Sequence, residues 1–248
     1  MKQEHDTSAN SSAMQSGSLP YSGYAQASEH GRIRLYQWDC MELLKQTPDN
    51  YYGLCIVDPP YGIGISDFKR KNTKTAKFDG TKEWDDCRPS PEYFDELFRV
   101  SCEQVIWGMN HLLDMLPPTR GFVSWFKHQN GNFSECELAW TSGNRGRFFD
   151  LPYQADLYGK IHPTQKPVAL YRWLLKNYAK PGQKILDTHG GSMSIAIACD
   201  IEGFDLTLCE IDKDYFESGS KRLKYHQSAP RLFDVTKPEP AEQISLYK

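Results

Sequence analysis

"KILDTHGGSMSIAIACDIEGFDLTLCEID", residues 184–212, decides how the rest of the chain is read. A short apolar run ends on an acid, a glycine pair turns the chain, a stretch rich in Ile and Ala follows, and a second apolar run again ends on an acid. Strand, turn, helix and strand in quick succession are the βαβ rhythm of a parallel sheet. Asp187 and Glu210 stand at the two strand ends, close to the roughly 20-residue interval at which a ribose-binding carboxylate follows a glycine turn. The turn "DTHGGSMS" lacks the G-x-G-x-x-G spacing that brings backbone against a pyrophosphate. It suits a ligand with a ribose and no pyrophosphate better than a dinucleotide. A plain tight turn with Glu210 closing a strand would use the same residues.

The same rhythm runs toward the N-terminus. "RIRLYQWD" (32–39) reads as a strand, "CMELLKQTP" as a helix stopped at Pro48, and "GLCIVDPP" as a strand covered on both faces. "SPEYFDELFRVSCEQ" has a helix start and an apolar stripe, "VIWGMN" and "GFVSWFK" read as strands, and "VALYRWLLKNYA" as a helix broken at "KPGQ". Trp107, Trp125 and Trp140 are expected in the core. At 248 residues, 39% apolar and 13% aromatic, the chain is long enough for one substantial core. The expected organisation is a flexible arm over 1–30, a single α/β domain over 31–226, and a tail over 227–248. Residues 128–161, rich in Asn, Gly, Gln and Arg, read as a recognition insert, and 62–90 as a mobile lysine-rich stretch.

A formal net charge of −3 argues against binding polyanions through overall charge, while leaving room for a local basic patch. Seven cysteines, Cys40, Cys55, Cys87, Cys102, Cys136, Cys199 and Cys209, form no CxxC pair. That fits neither a disulfide framework nor a zinc ribbon, and a reducing, cytoplasmic compartment is the expectation. Neither a membrane span nor a signal-peptide core is legible.

The second decisive stretch is "VDPPYG", 57–62, at the mouth of the buried "GLCIV" strand. Two prolines remove two backbone donors and stiffen the exit. The carboxylate of Asp58 and the carbonyl of Pro59 are pure acceptors, and a flat exocyclic amine offers two N–H groups. Pairing both draws the nitrogen lone pair out of conjugation and makes a weak nucleophile usable, with Tyr61 as an aromatic face. In an open parallel sheet, ligands bind beyond the carboxyl ends of the strands, so "DPPY" and "THGGS" would share one crevice if their strands are neighbours.

In their order, "DPPY" at 58–61, "HPTQKP" at 162–167 and the "LDTHGGS" turn, the chain resembles the amino-group DNA methyltransferases of the class whose catalytic half precedes the cofactor half. The short, phage-like adenine enzymes are the nearest subgroup, and the likeness spans about Arg32 to Leu223. The resemblance implies a three-layer, Rossmann-like α/β fold with a mostly parallel sheet, S-adenosylmethionine as cofactor and DNA as partner. It implies that Asp58, Pro59, Pro60 and Tyr61 hold the target base. Asp187, Gly191 and Ser192 would line the methionine end of the cofactor, with Asp58 beside it, and Glu210 would take the ribose hydroxyls. Asp39 falls where such enzymes contact the cofactor's adenine, though it also has the place of a helix cap, and His162, Thr164 and Lys166 belong to the segment closing over the methionine part. No metal is implied. The chain departs from the family with His189 in place of an aromatic and Met193 in place of a glycine, which would crowd the cofactor.

The implied reaction is methylation of the N6 amine of adenine in DNA. N4-cytosine methylation, a catalytically weak DNA-binding subunit and a nucleotide-dependent oxidoreductase are the alternatives. Lys69, Arg70, Lys71, Lys74, Lys77 and Lys82, directly after the catalytic turn, are placed to meet phosphates or to form a solvated loop. Asn130, Asn132, Asn144, Arg145 and Arg147 have side chains that pair with base edges. A homodimer is left open.

Overall fold

The computed structural model describes residues 21–23, 26–64, 85, 87–129, 134–153 and 160–229. Strands β1 (Gln26–His30) and β2 (Ile33–Gln37) lead through helix α1 (Cys40–Gln46) to β3 (Tyr52–Val57). Helix α2 (Pro91–Val100) passes directly into β4 (Ser101–Trp107), followed by β5 (Gly121–Phe126), β6 (Cys136–Thr141) and β7 (Gly146–Asp150). The remaining elements are α3 (Val168–Tyr178), β8 (Lys184–Asp187), α4 (Ser194–Glu202), β9 (Asp205–Glu210) and α5 (Lys213–Ser228). The nine strands form one sheet in the order β1-β2-β9-β8-β3-β4-β6-β5-β7. Its centre, β2-β9-β8-β3-β4, is parallel throughout.

The alternation of side chains along each strand divides the interior into two cores. Leu54 and Ile56 of β3 pack with Val105, Ile185 and Leu208 against α3, α4 and α5. Cys55 and Val57 pack with Ile106, Leu186 and Cys209 against α1 and α2. A strand buried on both faces has no polar side to show, which is why "GLCIV" reads as continuously apolar. Helices on both faces give the three layers expected. Trp107, Trp125 and Trp140 are all buried. No helix among the described residues is long and apolar enough to cross a membrane.

Three expectations are corrected. The core begins before residue 31: β1 pairs antiparallel with β2, and the Tyr21 ring lies buried with its hydroxyl 3.0 Å from the Thr47 hydroxyl and 2.8 Å from that of Tyr52. Small polar residues mask this segment, because β1 is an edge strand with little apolar face of its own. The supposed insert over 128–161 contains β6 and β7, which are part of the sheet. Its polar character belongs largely to the residues between the strands, such as 142–145. Finally, α2 stops at Val100 rather than running through "SCEQ". There the Ser101 hydroxyl donates to the Leu97 carbonyl at 2.6 Å, and the Gln104 amide donates to the Ser101 carbonyl at 2.7 Å. Both hydrogen bonds use side chains to satisfy carbonyls a helix end leaves open.

Tyr21→Phe keeps the ring and removes only the hydroxyl. It should lower stability by about 1–3 kcal/mol, seen as a lower urea midpoint at constant m-value. A chain begun at residue 31 loses the ring and β1 as well and should be less stable still.

Candidate active site

Strands β3 and β8 are hydrogen-bonded neighbours, with Leu54 opposite Ile185 and Cys55 opposite Leu186. Their carboxyl ends therefore open side by side. The "DPPY" turn leaves one and the "THGGS" turn the other, and both border a single cavity of about 290 Å³. Asp58, Pro59, Pro60 and Tyr61 line it from one side, Gly191, Ser192 and Glu210 from the other, and His162, Thr164 and Lys166 also border it.

Backbone accounting explains why the "DPPY" turn is stiff. Pro59 and Pro60 have no N–H, and the next two amides, of Tyr61 and Gly62, both donate to one Asp85 oxygen at 2.7 and 3.1 Å. The two amides that follow the prolines are therefore not left to water. Asp85 lies within the stretch expected to be mobile, yet it is buried. The Tyr61 hydroxyl donates to Asp58, and its ring stacks on His111 with centroids 5.1 Å apart. Gly108, at φ +78°, makes room for it: a Cβ there would sit 2.1 Å from the Tyr61 ring.

Asp58 is gripped from the other side by Lys166, whose ammonium lies 2.5 Å from the second carboxylate oxygen. The same ammonium is 3.2 Å from Glu137 and 5.1 Å from the centre of the Trp107 ring. Glu137 in turn pairs with Lys127 at 3.0 Å. Lys166 is only 4% exposed, which excludes a surface lysine between two prolines. Burial pushes the Glu137 carboxyl up, but the ammonium groups of Lys166 and Lys127 outweigh it and hold it below its ordinary value. The "HPTQKP" segment is a compact turn: the Gln165 amide N–H donates to the His162 carbonyl, and the Gln165 side chain accepts from the Ile161 amide. Its last proline caps α3.

On the glycine side, four amides are consumed internally. His189 N–H donates to Asp187, Gly190 N–H to the Cys209 carbonyl, Gly191 N–H to Glu210 at 2.7 Å, and Met193 N–H to the Gly190 carbonyl. A pyrophosphate needs such amides free, so the turn does not favour a dinucleotide. The two carboxylate oxygens of Glu210 accept from Gly191 and Asp212, which fixes its orientation at the cavity wall. Burial, with Asp58 and Glu210 adding to it, pushes Asp187 up to about 8. Burial pulls His189 down to about 4, so its imidazole is neutral at physiological pH.

Met193 does not crowd the cavity. It is fully buried in the left-handed conformation at φ +56°, capping α4. Its side chain runs under α5, where a Cβ on Gly219 would lie 2.7 Å from its Cγ. Asp39 caps α1, accepting from the Met41 amide at 2.9 Å, and is not among the residues lining the cavity. It follows the β2 end, where Gln37 pairs with Glu210. Asp187 is buried at the end of β8 behind the glycine turn. The lysine-rich run Lys69 to Lys82, together with Asn130 and Asn132, lies outside the described residues. Arg147 donates to Asn177 at 2.8 Å, tying β7 to α3, whereas Asn144 and Arg145 are exposed.

Residues absent from the sequence-based site are Glu137, Asp85, Tyr171, Asp212 and Tyr215, all on the cavity wall. Glu137 lies on β6, where its sequence neighbours give no sign of the cations it meets. Asp212 and Tyr215 belong to the start of α5, whose polar sequence hides its helix. The available signal was Asp212 itself, an N-cap accepting from Tyr215 N–H at 3.0 Å, with Phe216 and Leu223 on one face.

The family described as DNA methylase matches residues 118–221. That stretch, from just before β5 into α5, is where this chain is similar to the family. Beyond it, a protein named as a methylase, YubD of Escherichia coli (strain K12), is 25% identical over 230 residues, 79% of this chain and 92% of that protein. The DNA adenine methyltransferase YhdJ of the same strain is 34% identical over 97 residues, 37% of this chain and 33% of its own length. Among solved structures, the M1.HpyAVI–SAM complex gives a TM-score of 0.52 at 19% identity, covering 77% of this chain and 98% of that one. The cytosine-N4-specific PvuII DNA methyltransferase gives 0.55 at 13%, covering 82% and 95%. At these identities the two structures speak to the fold alone, which this chain shares with them.

The pH behaviour of Asp187 is testable. Its folded value near 8 lies above its unfolded value of about 3.9, so the folded chain holds a proton the unfolded chain releases. Stability from this group is complete below about pH 4 and is lost as pH rises toward 8. Asp187→Asn should flatten the fall in melting temperature across that window; an unchanged slope would show that another group causes it.

Proposed function

We propose that this chain is a DNA methyltransferase that transfers a methyl group from S-adenosylmethionine to the N6 amine of adenine in DNA. The observation carrying the reading is the shared cavity: the acceptor pair at "DPPY" and the glycine turn with Glu210 open into one space from adjacent strand ends. Adenine in a duplex keeps its amine within the stack, so the base must be extruded to enter.

The donor set suits this cofactor. Glu210 is an oriented carboxylate for ribose hydroxyls, and the internally satisfied turn asks for no phosphate. Gly191 and Ser192, with Asp187 behind them, would hold the methionine end, closed by His162, Thr164 and Lys166. Asp39 is assigned to the adenine end. When bound, the cofactor supplies a methyl group activated on a sulfonium. Asp58 and the Pro59 carbonyl accept the two amine hydrogens and aim the nitrogen lone pair, while Pro60 and Tyr61 fix the turn and offer a ring to the base. Tyr61 and Lys166 hold both Asp58 oxygens in place. With both hydrogens so held, the amine nitrogen would be placed to accept the methyl group, and the proton it sheds on methylation would leave to water.

Adenine is favoured by the acid at position 58 and by the likeness to an adenine methyltransferase. Cytosine N4 is the second reading, because its amine makes the same two hydrogen bonds and a cytosine-N4 enzyme shares the fold.

Asp58→Ala should cut methyl transfer by at least about 10²–10³-fold while S-adenosylhomocysteine still raises the melting temperature, as NAD should not. Treated DNA, digested to nucleosides and analysed by mass spectrometry, reports the product: N6-methyldeoxyadenosine is expected. N4-methyldeoxycytidine would move the assignment to cytosine, and near-normal transfer by the variant would remove Asp58 from the mechanism.

A further inference from the structure

Glu137 stands outside the two motifs that define the site, yet it meets their charges at close range. Four side chains alternate in sign: Asp58, Lys166, Glu137 and Lys127, joined at 2.5, 3.2 and 3.0 Å. Lys166 and Lys127 are each more than nine-tenths buried. Paired charges in such surroundings interact far more strongly than in water. This series of charges begins at the carboxylate that faces the cavity and ends at Lys127, just past β5, and Glu137 sits on β6, directly opposite Trp125.

Resting on the methyl-transfer reading, we infer that Glu137 is a positioning residue that divides the Lys166 ammonium between two carboxylates, so that Asp58 remains a strong acceptor for the target amine. The physical reason is competition for one cation. An ammonium owned by Asp58 alone would neutralise the oxygen that must attract an N–H. A second carboxylate 3.2 Å away draws part of that interaction to itself, and Lys127 keeps Glu137 charged inside the protein. Lys166 then orients Asp58 without silencing it. The Trp107 face beneath the ammonium adds a third attraction that does not compete for Asp58's lone pairs.

Glu137→Gln keeps the side-chain shape and removes the competing charge, but it also strands Lys127, a structural cost unrelated to transfer. Glu137→Gln with Lys127→Met removes both members of the outer pair and restores charge balance, which separates the two effects. Wild type, single and double variants would be compared by single-turnover methylation with nucleoside mass spectrometry, S-adenosylhomocysteine calorimetry and thermal melting. The expected result is a 10- to 100-fold slower transfer in both variants with S-adenosylhomocysteine affinity within threefold of wild type. The melting temperature should drop in the single variant and recover in the double. Transfer that recovers along with melting temperature would reduce Glu137 to a structural partner of Lys127 and overturn the inference, as would a wild-type rate in either variant. Absence of any methylated nucleoside from the wild-type protein would instead overturn the methyl-transfer reading, and the inference with it.

Discussion

The Lys166 ammonium and the Asp58 carboxylate are 108 positions apart in the chain and 2.5 Å apart in space. Each belongs to a short proline-containing turn. A buried ion pair is a demanding link: once both charges are out of water, removing one leaves the other stranded at a cost of about 3–5 kcal/mol. The pair therefore couples the "DPPY" and "HPTQKP" turns more firmly than their backbone contacts do.

Sheet order supplies the other constraint. Because β3 lies beside β8, the acid-bearing turn and the glycine turn project from the same edge. Each is stiffened by the same device: its amides are either missing or already used, by Asp85 on one side and by Glu210 and neighbouring carbonyls on the other. Rigid acceptors can face a ligand without first giving up bonds to their own backbone. Met193 shows how a departure from the family pattern is absorbed, since its side chain turns into the space that Gly219 leaves on α5.

The cavity and the strand end behind it gather several acids, and the structure manages them individually. Asp58 and Glu137 share cations, Glu210 is bonded by two backbone amides, and burial keeps Asp187 protonated well above the usual carboxylate range. Such pushing apart of neighbouring titratable groups is common where a site must present charge at one atom and suppress it at the next.

How much was legible follows from range. The two βαβ units, the three layers and the motif residues Asp58, Tyr61, Lys166, Gly191 and Glu210 can be read from the sequence, because strand periodicity, proline and glycine placement and strand-end acids are local signals. The edge strand β1, the strands inside 128–161 and the polar helix α5 were not legible: their stability comes from neighbours that cover them, so their own residues carry weak patterns. Asp85 and Glu137 were hidden for the same reason in sharper form. An acid in a loop or on a strand looks like any surface acid until the fold brings Tyr61 and Gly62 to one, and Lys166 and Lys127 to the other. Sequence determined which groups are present at the strand ends; only tertiary structure decided which charges meet, because that depends on the order of strands in the sheet rather than on the order of residues in the chain.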